Sequence, residues 1–189
     1  ANRISSLGKG FVDRYPVPIA AGPNNLVGAS NLTSYVDNIS IRGDQAFGQN
    51  DTLFVRYSFW KQERLEPFSR SSTTHPGYGI LLDTTSTSVV INETHLFSSN
   101  LINEARVGFT RLVGGLFSEQ REQGDAVVRE LGLTGVRQSD NPTSVIPDLY
   151  DVPRITARGY SNLVGGNPHV RFDNHFAYTD NLSWSRGAH

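Results

Sequence analysis

Apolar residues in this chain return at every second position, and that habit restricts the fold more than any other feature. Residues 91–112 read INETHLFSSNLINEARVGFTRL. Val89, Ile91 and Phe97 share one parity before Ser98-Ser99-Asn100, and Leu101, Ala105, Val107 and Phe109 share one after it. Asn92, Thr94, Glu104, Arg106 and Thr110 take the other parity. Strict alternation predicts half-buried strands, and a short Ser/Asn connection predicts an antiparallel hairpin. A second hairpin precedes it. Ile39 and Ile41 alternate with Asn38, Ser40, Arg42 and Asp44; after Gly48-Gln49-Asn50-Asp51, Leu53, Val55, Tyr57 and Phe59 alternate with Arg56 and Ser58. A fifth strand carries Phe176, Tyr178, Leu182 and Trp184 on one side and His175, Thr179, Asn181, Ser183 and Ser185 on the other.

Matching the apolar faces across each hairpin fixes an expected register. A three-residue loop at Gln49-Asn50-Asp51 sets Asp44 opposite Arg56; a loop at Ser98-Ser99-Asn100 sets Asn92 opposite Arg106 and Ile91 opposite Val107. The expected strands cover about 34–47, 52–61, 87–97, 101–113 and 174–186. Residues 1–33 read as an extracellular loop or linker, with a short helix in ISSLGKGFVDRY, and residues 34–189 as a partial barrel. Long loops fall at 62–86 and 117–172, the second holding one short helix, with Ser118 as its N-cap and Glu130-Leu131-Gly132 at its end. The two long loops are expected at one end of the sheet, because the two short turns share the other.

The fold class expected is therefore all-β. It is an antiparallel up-and-down meander of about five strands, an open segment of a large transmembrane β-barrel, with one short helix in a long loop. Soluble sandwiches space their turns at ~8–12 residues, whereas membrane barrels put short turns on one side and long loops on the other. Tyr35, Phe47, Phe59, Trp60, Phe97 and Trp184, near strand ends, are candidate girdle residues at the lipid interface. No apolar run approaches the ~18 residues that mark a membrane helix, a test blind to barrel strands.

Chemistry narrows the functions by exclusion. The chain has no cysteine and hence no thiol nucleophile or disulfide framework, and it has no methionine. The missing methionine and signal peptide suggest an internal piece of a longer chain. Net charge is −1 and only Lys9 and Lys61 are lysine, so no basic stripe invites nucleic acid. His75, His95, His169, His175 and His189 lack zinc-binding spacing, and His95 reads as a turn or interface residue. Glu93 and Glu104 take opposite faces and make a poor acid–base pair. LVGG at 112–115 and 163–166 opens no phosphate-binding helix. No catalytic, cofactor or metal residue is assigned, and the chain does not read as an enzyme. Arg42, Asp44, Arg56, Glu104 and Arg106 form instead a charge ladder on the polar face, expected to look into a lumen.

Three blocks of residues, taken together, resemble a known family. They are Arg42, Asp44, Asp51, Leu53, Phe54, Arg56, Tyr57 and Ser58; then Thr94, His95, Phe97, Ser98, Leu101, Asn103, Glu104, Arg106, Gly108, Phe109 and Arg111; then Asp180 to Trp184, Gly187 and His189. In order and spacing, and with ISSLGKGFVDRYPVP ahead of them, they resemble the barrel of Oar-like TonB-dependent receptors of the acidobacterial and myxobacterial type. The resemblance implies a bacterial outer-membrane location and a barrel of about 22 strands, of which five are countable here. It implies active substrate uptake, with membrane lipid, the rest of the barrel and its plug domain as partners. The plug, the TonB box and the carboxypeptidase-regulatory-like domain of that family are not seen, so TonB would act only through missing parts. Tyr150, Arg154, Arg158 and Tyr160 are candidate ligand contacts in the long loop. The alternative is a soluble or surface-displayed β-domain that binds glycan or protein through its loops. In that case Val107 and Phe109 would be buried under residues 117–172.

Overall fold

The computed structural model describes residues 4–22, 26, 28–68, 76–121, 124–133, 155–163 and 168–187. Five strands follow a short helix: α1 (Ser6–Val12), β1 (Thr33–Phe47), β2 (Asp51–Glu66), β3 (Ile80–Ser98), β4 (Leu101–Ser118), α2 (Gly124–Glu130) and β5 (His169–Trp184). They form one antiparallel sheet in the order β1-β2-β3-β4-β5, the expected meander. β1 and β5 are its open edges. No described helix is long and apolar enough to cross a membrane.

Cross-strand contacts report the register. The hydroxyls of Ser40 and Ser58 lie 3.3 Å apart, a separation only directly opposed short side chains reach. That places Arg42 opposite Arg56 and Asp44 opposite Phe54. The expected Asp44–Arg56 opposition is therefore corrected by two positions. Gly48 (φ 71°) supplies the left-handed residue that the turn needs, so the loop is Gly48-Gln49-Asn50 and Asp51 enters β2. An even slip keeps both residues on the expected face. In the second hairpin Arg106 Nε donates to Asn92 Oδ1 at 2.9 Å, and the Thr110 hydroxyl donates to Ser88 at 3.1 Å. Both fit the expected register. Between the hairpins Leu96 N–H donates to the Asn50 carbonyl (2.8 Å), and Ser185 N–H donates to the Asn100 carbonyl (2.9 Å) beside β5.

The chain divides into two compact units. One comprises Tyr35–Gln62, Thr84–Gly114 and Arg171–His189, the wall of the sheet; the other comprises Ala1–Ser34, Glu63–Asp83 and Gly115–Val170. The described residues of both long connections fall largely in the second unit. Strands β2, β3 and β4 run past the expected ends, to Glu66, back to Ile80 and on to Ser118. Alternation of apolar and polar residues stops before the strands do. It is required only where one face meets an apolar medium, whereas Thr- and Leu-rich 80–87 retains strand propensity without it.

In the wall unit the apolar parity is uncovered. Ile41 is 63% exposed, Val107 47% and Phe176 60%. Phe109 is half-buried by Phe176, whose ring centroid lies 4.9 Å away on β5. Neither Val107 nor Phe109 is buried, so among the described residues this face has no cover of the kind that a soluble β-domain requires. Trp60 shares the parity of Arg56 and so leaves the expected girdle; Tyr35, Phe47, Phe97 and Trp184 stay on the apolar parity, each more than half exposed.

The loop unit has its own core of Tyr78, Ile155 and Leu163, against which Phe11 and Tyr15 pack. Ile155 and Leu163 form an antiparallel bridge with bonds of 2.8 and 3.0 Å. Gly79 allows a close crossing, since a Cβ there would lie 2.3 Å from the Glu66 carbonyl oxygen. Ser5 caps α1 through Gly8 N–H at 3.0 Å. Ser118 does not cap α2. It is the fully buried last residue of β4, and its hydroxyl accepts from Gln120 N–H. The expected end of α2 holds, closed by Gly132 (φ 64°), whose N–H reaches Arg129 while Leu133 N–H reaches Val128.

Candidate functional site: the polar face of the wall

Alternation sends Ser40, Arg42 and Asp44 of β1 to the face that carries Phe54, Arg56 and Ser58 of β2. Asn92 and Ser88 of β3 and Glu104, Arg106 and Thr110 of β4 share it. Arg42 Nε donates to both carboxylate oxygens of Asp44, at 3.0 and 2.9 Å. The Arg42 guanidinium lies 4.0 Å from the Phe54 ring centroid and that of Arg56 lies 5.9 Å from it, so one ring serves two cations. On β4 the Arg106 guanidinium donates to Glu104 at 2.6 Å as well as to Asn92. Asn92 is 5% exposed and passes its amide on to Thr94.

All five expected ladder residues are therefore on one face, in two clusters. Arg42, Asp44 and Arg56 meet around Phe54; Glu104 and Arg106 meet at Asn92. The ion pairs run along strands, two residues apart. Arg171–Asp173 on β5 (2.7 Å) and Arg64–Glu66 on β2 (3.1 Å) repeat the same spacing. Phe54 went unassigned in the sequence, although its parity, the same as that of Arg56, was the available signal. The hydroxyl row of Ser40, Ser58, Ser88 and Thr110 is a second such feature, because a row across four strands is visible only once three registers are fixed. Such a face can hold water and present fixed charges of both signs to a polypeptide or solute. It has no nucleophile–base pair among its described contacts.

A second cluster occupies the opposite face of the wall. Asp51, Glu93 and His95 come together next to the two short turns. Sequence spacing hid them because they come from two strands.

In the loop unit Arg158 is exposed and Tyr160 is 69% exposed, its ring 5.5 Å from that of Tyr15. Tyr150 and Arg154 lie outside the described residues. Burial raises the Tyr15 phenol above its ordinary value, with Tyr78 and Tyr160 adding to it. Burial also raises Tyr78, against the lowering effects of a Gln120 hydrogen bond and Arg14. Arg14 NH2 bonds Glu130 at 2.8 Å and so ties the segment after α1 to α2.

No curated protein and no solved structure matches the chain. The family described as "Outer membrane beta barrel domain" matches residues 1–189. With an open antiparallel sheet and an apolar face left exposed among the described residues, the chain belongs to this family and is a protein of the bacterial outer membrane.

Proposed function

We propose that the chain supplies barrel wall and extracellular loops to a TonB-dependent receptor, an active importer of the outer membrane. The observation that carries this reading is the polar face. Arg42, Asp44, Arg56, Glu104 and Arg106 all belong to the blocks that resemble Oar-like receptors, and they gather on one side of the sheet, opposite the uncovered apolar residues. In a barrel that side lines the lumen, where a plug domain offers the polar surface that such pairs can bond. Membrane lipid covers the other side, the rest of the barrel pairs with the edges β1 and β5, and TonB engages other parts of the receptor. Arg158 and Tyr160 are the described candidates for ligand contact; Tyr150 and Arg154 accompany them on sequence grounds alone. The role is transport, and no residue is assigned a catalytic part.

The test is a photo-crosslinking amino acid at Arg56 or Arg106 of the receptor in native outer membranes. A lumen-side ladder predicts crosslinks to a plug within the same polypeptide, identified by mass spectrometry, and none from the same probe at Ile41. Crosslinks from Arg56 and Arg106 to lipid, or to separate soluble proteins, would contradict the reading.

A further inference from the structure

Asp51 opens β2 directly across from His95 of β3, and Glu93 stands two residues before His95, on the same face. His95 Nδ1 is in hydrogen-bond contact with Asp51 Oδ1. One donor atom from each of the three lies within 4.8 Å of the other two, and all three residues are half-buried. This is the apolar face, shared by Leu53, Val55, Ile91 and Phe97. The Phe97 ring stands edge-on to the imidazole at 4.3 Å. By register Glu93 faces Leu53 on one side and Ala105 on the other. Among the described residues no hydrogen bond or ion pair reaches the Glu93 carboxylate, and neither carboxylate is paired with an arginine or lysine. Two carboxylates against one imidazole leave net negative charge on a surface otherwise suited to hydrocarbon, an arrangement that is costly unless compensated.

We propose that Asp51, Glu93 and His95 bind one divalent transition cation of the zinc class. The donor set decides the class. Carboxylates alone suit calcium, magnesium or manganese, and an imidazole among them shifts preference to zinc, nickel, iron or copper. Zinc–ligand bonds of ~2.0–2.2 Å bring tetrahedral donors to roughly 3.4 Å apart. The cluster reaches that by side-chain rotation, within the 4.8 Å already observed. The cation takes the place of the proton between His95 and Asp51 and offsets the uncompensated charge of Glu93. It also ties β2 of the first hairpin to β3 of the second, beside the Leu96–Asn50 backbone bond. This site is separate from the polar face and does not depend on the transport reading.

Cobalt(II) alone is the probe, titrated into the chelator-treated protein in detergent and followed by its visible d–d absorption. The expected result is one saturable site per chain, displaced by zinc(II). Asp51→Asn, Glu93→Gln and His95→Gln each weaken it by roughly tenfold or more, as losing a first ligand costs at least what losing its supporting partner does, and Asp13→Asn leaves it unchanged. Circular dichroism checks strand content. Glu93→Gln keeps the His95–Asp51 contact, so it separates lost ligation from lost folding. Absence of saturable binding by the folded wild type, or equal binding by the folded Glu93→Gln variant, overturns the proposal.

Discussion

Val107 and Thr110 stand three positions apart on β4 and meet opposite surroundings. Val107 is on the uncovered apolar face; Thr110 bonds Ser88 across the polar one. Cross-strand pairs such as Thr110–Ser88 or Arg106–Asn92 are worth ~0.2–1 kcal/mol each. A cation placed on the lipid side of a barrel near mid-depth costs ~2–4 kcal/mol. The second effect wins, so the face that tolerates charge identifies the sheet's orientation better than any single bond does. Val107→Arg is expected to lower unfolding stability in bilayers by about 2–4 kcal/mol, measured by denaturant titration, with Thr110→Arg well below that. Equal costs at the two positions would argue against a lipid-facing Val107. At this scale the sequence was legible in one respect. The face of Asp44 or Arg56 follows from period-two alternation alone, but its partner depends on where the turn closes. Gly48 moved that closure by one residue, and Phe54 took the place expected of Arg56.

The elements show where legibility ends and why. Strands of the wall unit could be read because one of their faces is apolar and the other polar, which is what alternation records. Their extensions at 62–66, 80–86 and 114–118 could not, since no apolar medium imposes a pattern there. Ser118 illustrates the difficulty. It has an N-cap's composition and stands ahead of a helical segment, yet burial at the end of β4 claims its hydroxyl first. The metal-ligand cluster stayed hidden for a related reason, because Asp51 and His95 become neighbours only through β2–β3 pairing. The loop unit makes a prediction of its own. The Tyr15 and Tyr78 phenols are held above the ordinary value of 10.0. Their unfolded counterparts lose protons first as pH rises, so the unfolded state then binds fewer protons than the folded one and stability falls above pH ~10. Below that pH the contribution is fully present. Tyrosinate absorbance should show two of the seven tyrosines titrating late, and Tyr15→Phe and Tyr78→Phe should each remove one late step. Seven coincident titrations would mean that the Tyr15–Tyr78 core is not formed.

In the whole molecule the wall unit has two chemically distinct faces, and the loop unit has its own small core. β1 and β5 are the edge strands of the sheet, and hydrocarbon tolerates no open edge; in the proposed receptor other barrel strands pair with them. In the proposed barrel, lipid meets the parity of Ile41, Val107 and Phe176 while an aqueous lumen meets that of Ser40, Ser88 and Thr110. The chain has no cysteine, so a single introduced thiol reports one position without background. Cysteines at those six positions, probed in the protein within intact outer membranes, give the most direct test. Thiols at 40, 88 and 110 are expected to react with a membrane-impermeant maleimide, while those at 41, 107 and 176 resist it and react with a lipid-soluble one. Ready labelling of 41, 107 and 176 by the impermeant reagent would contradict that orientation.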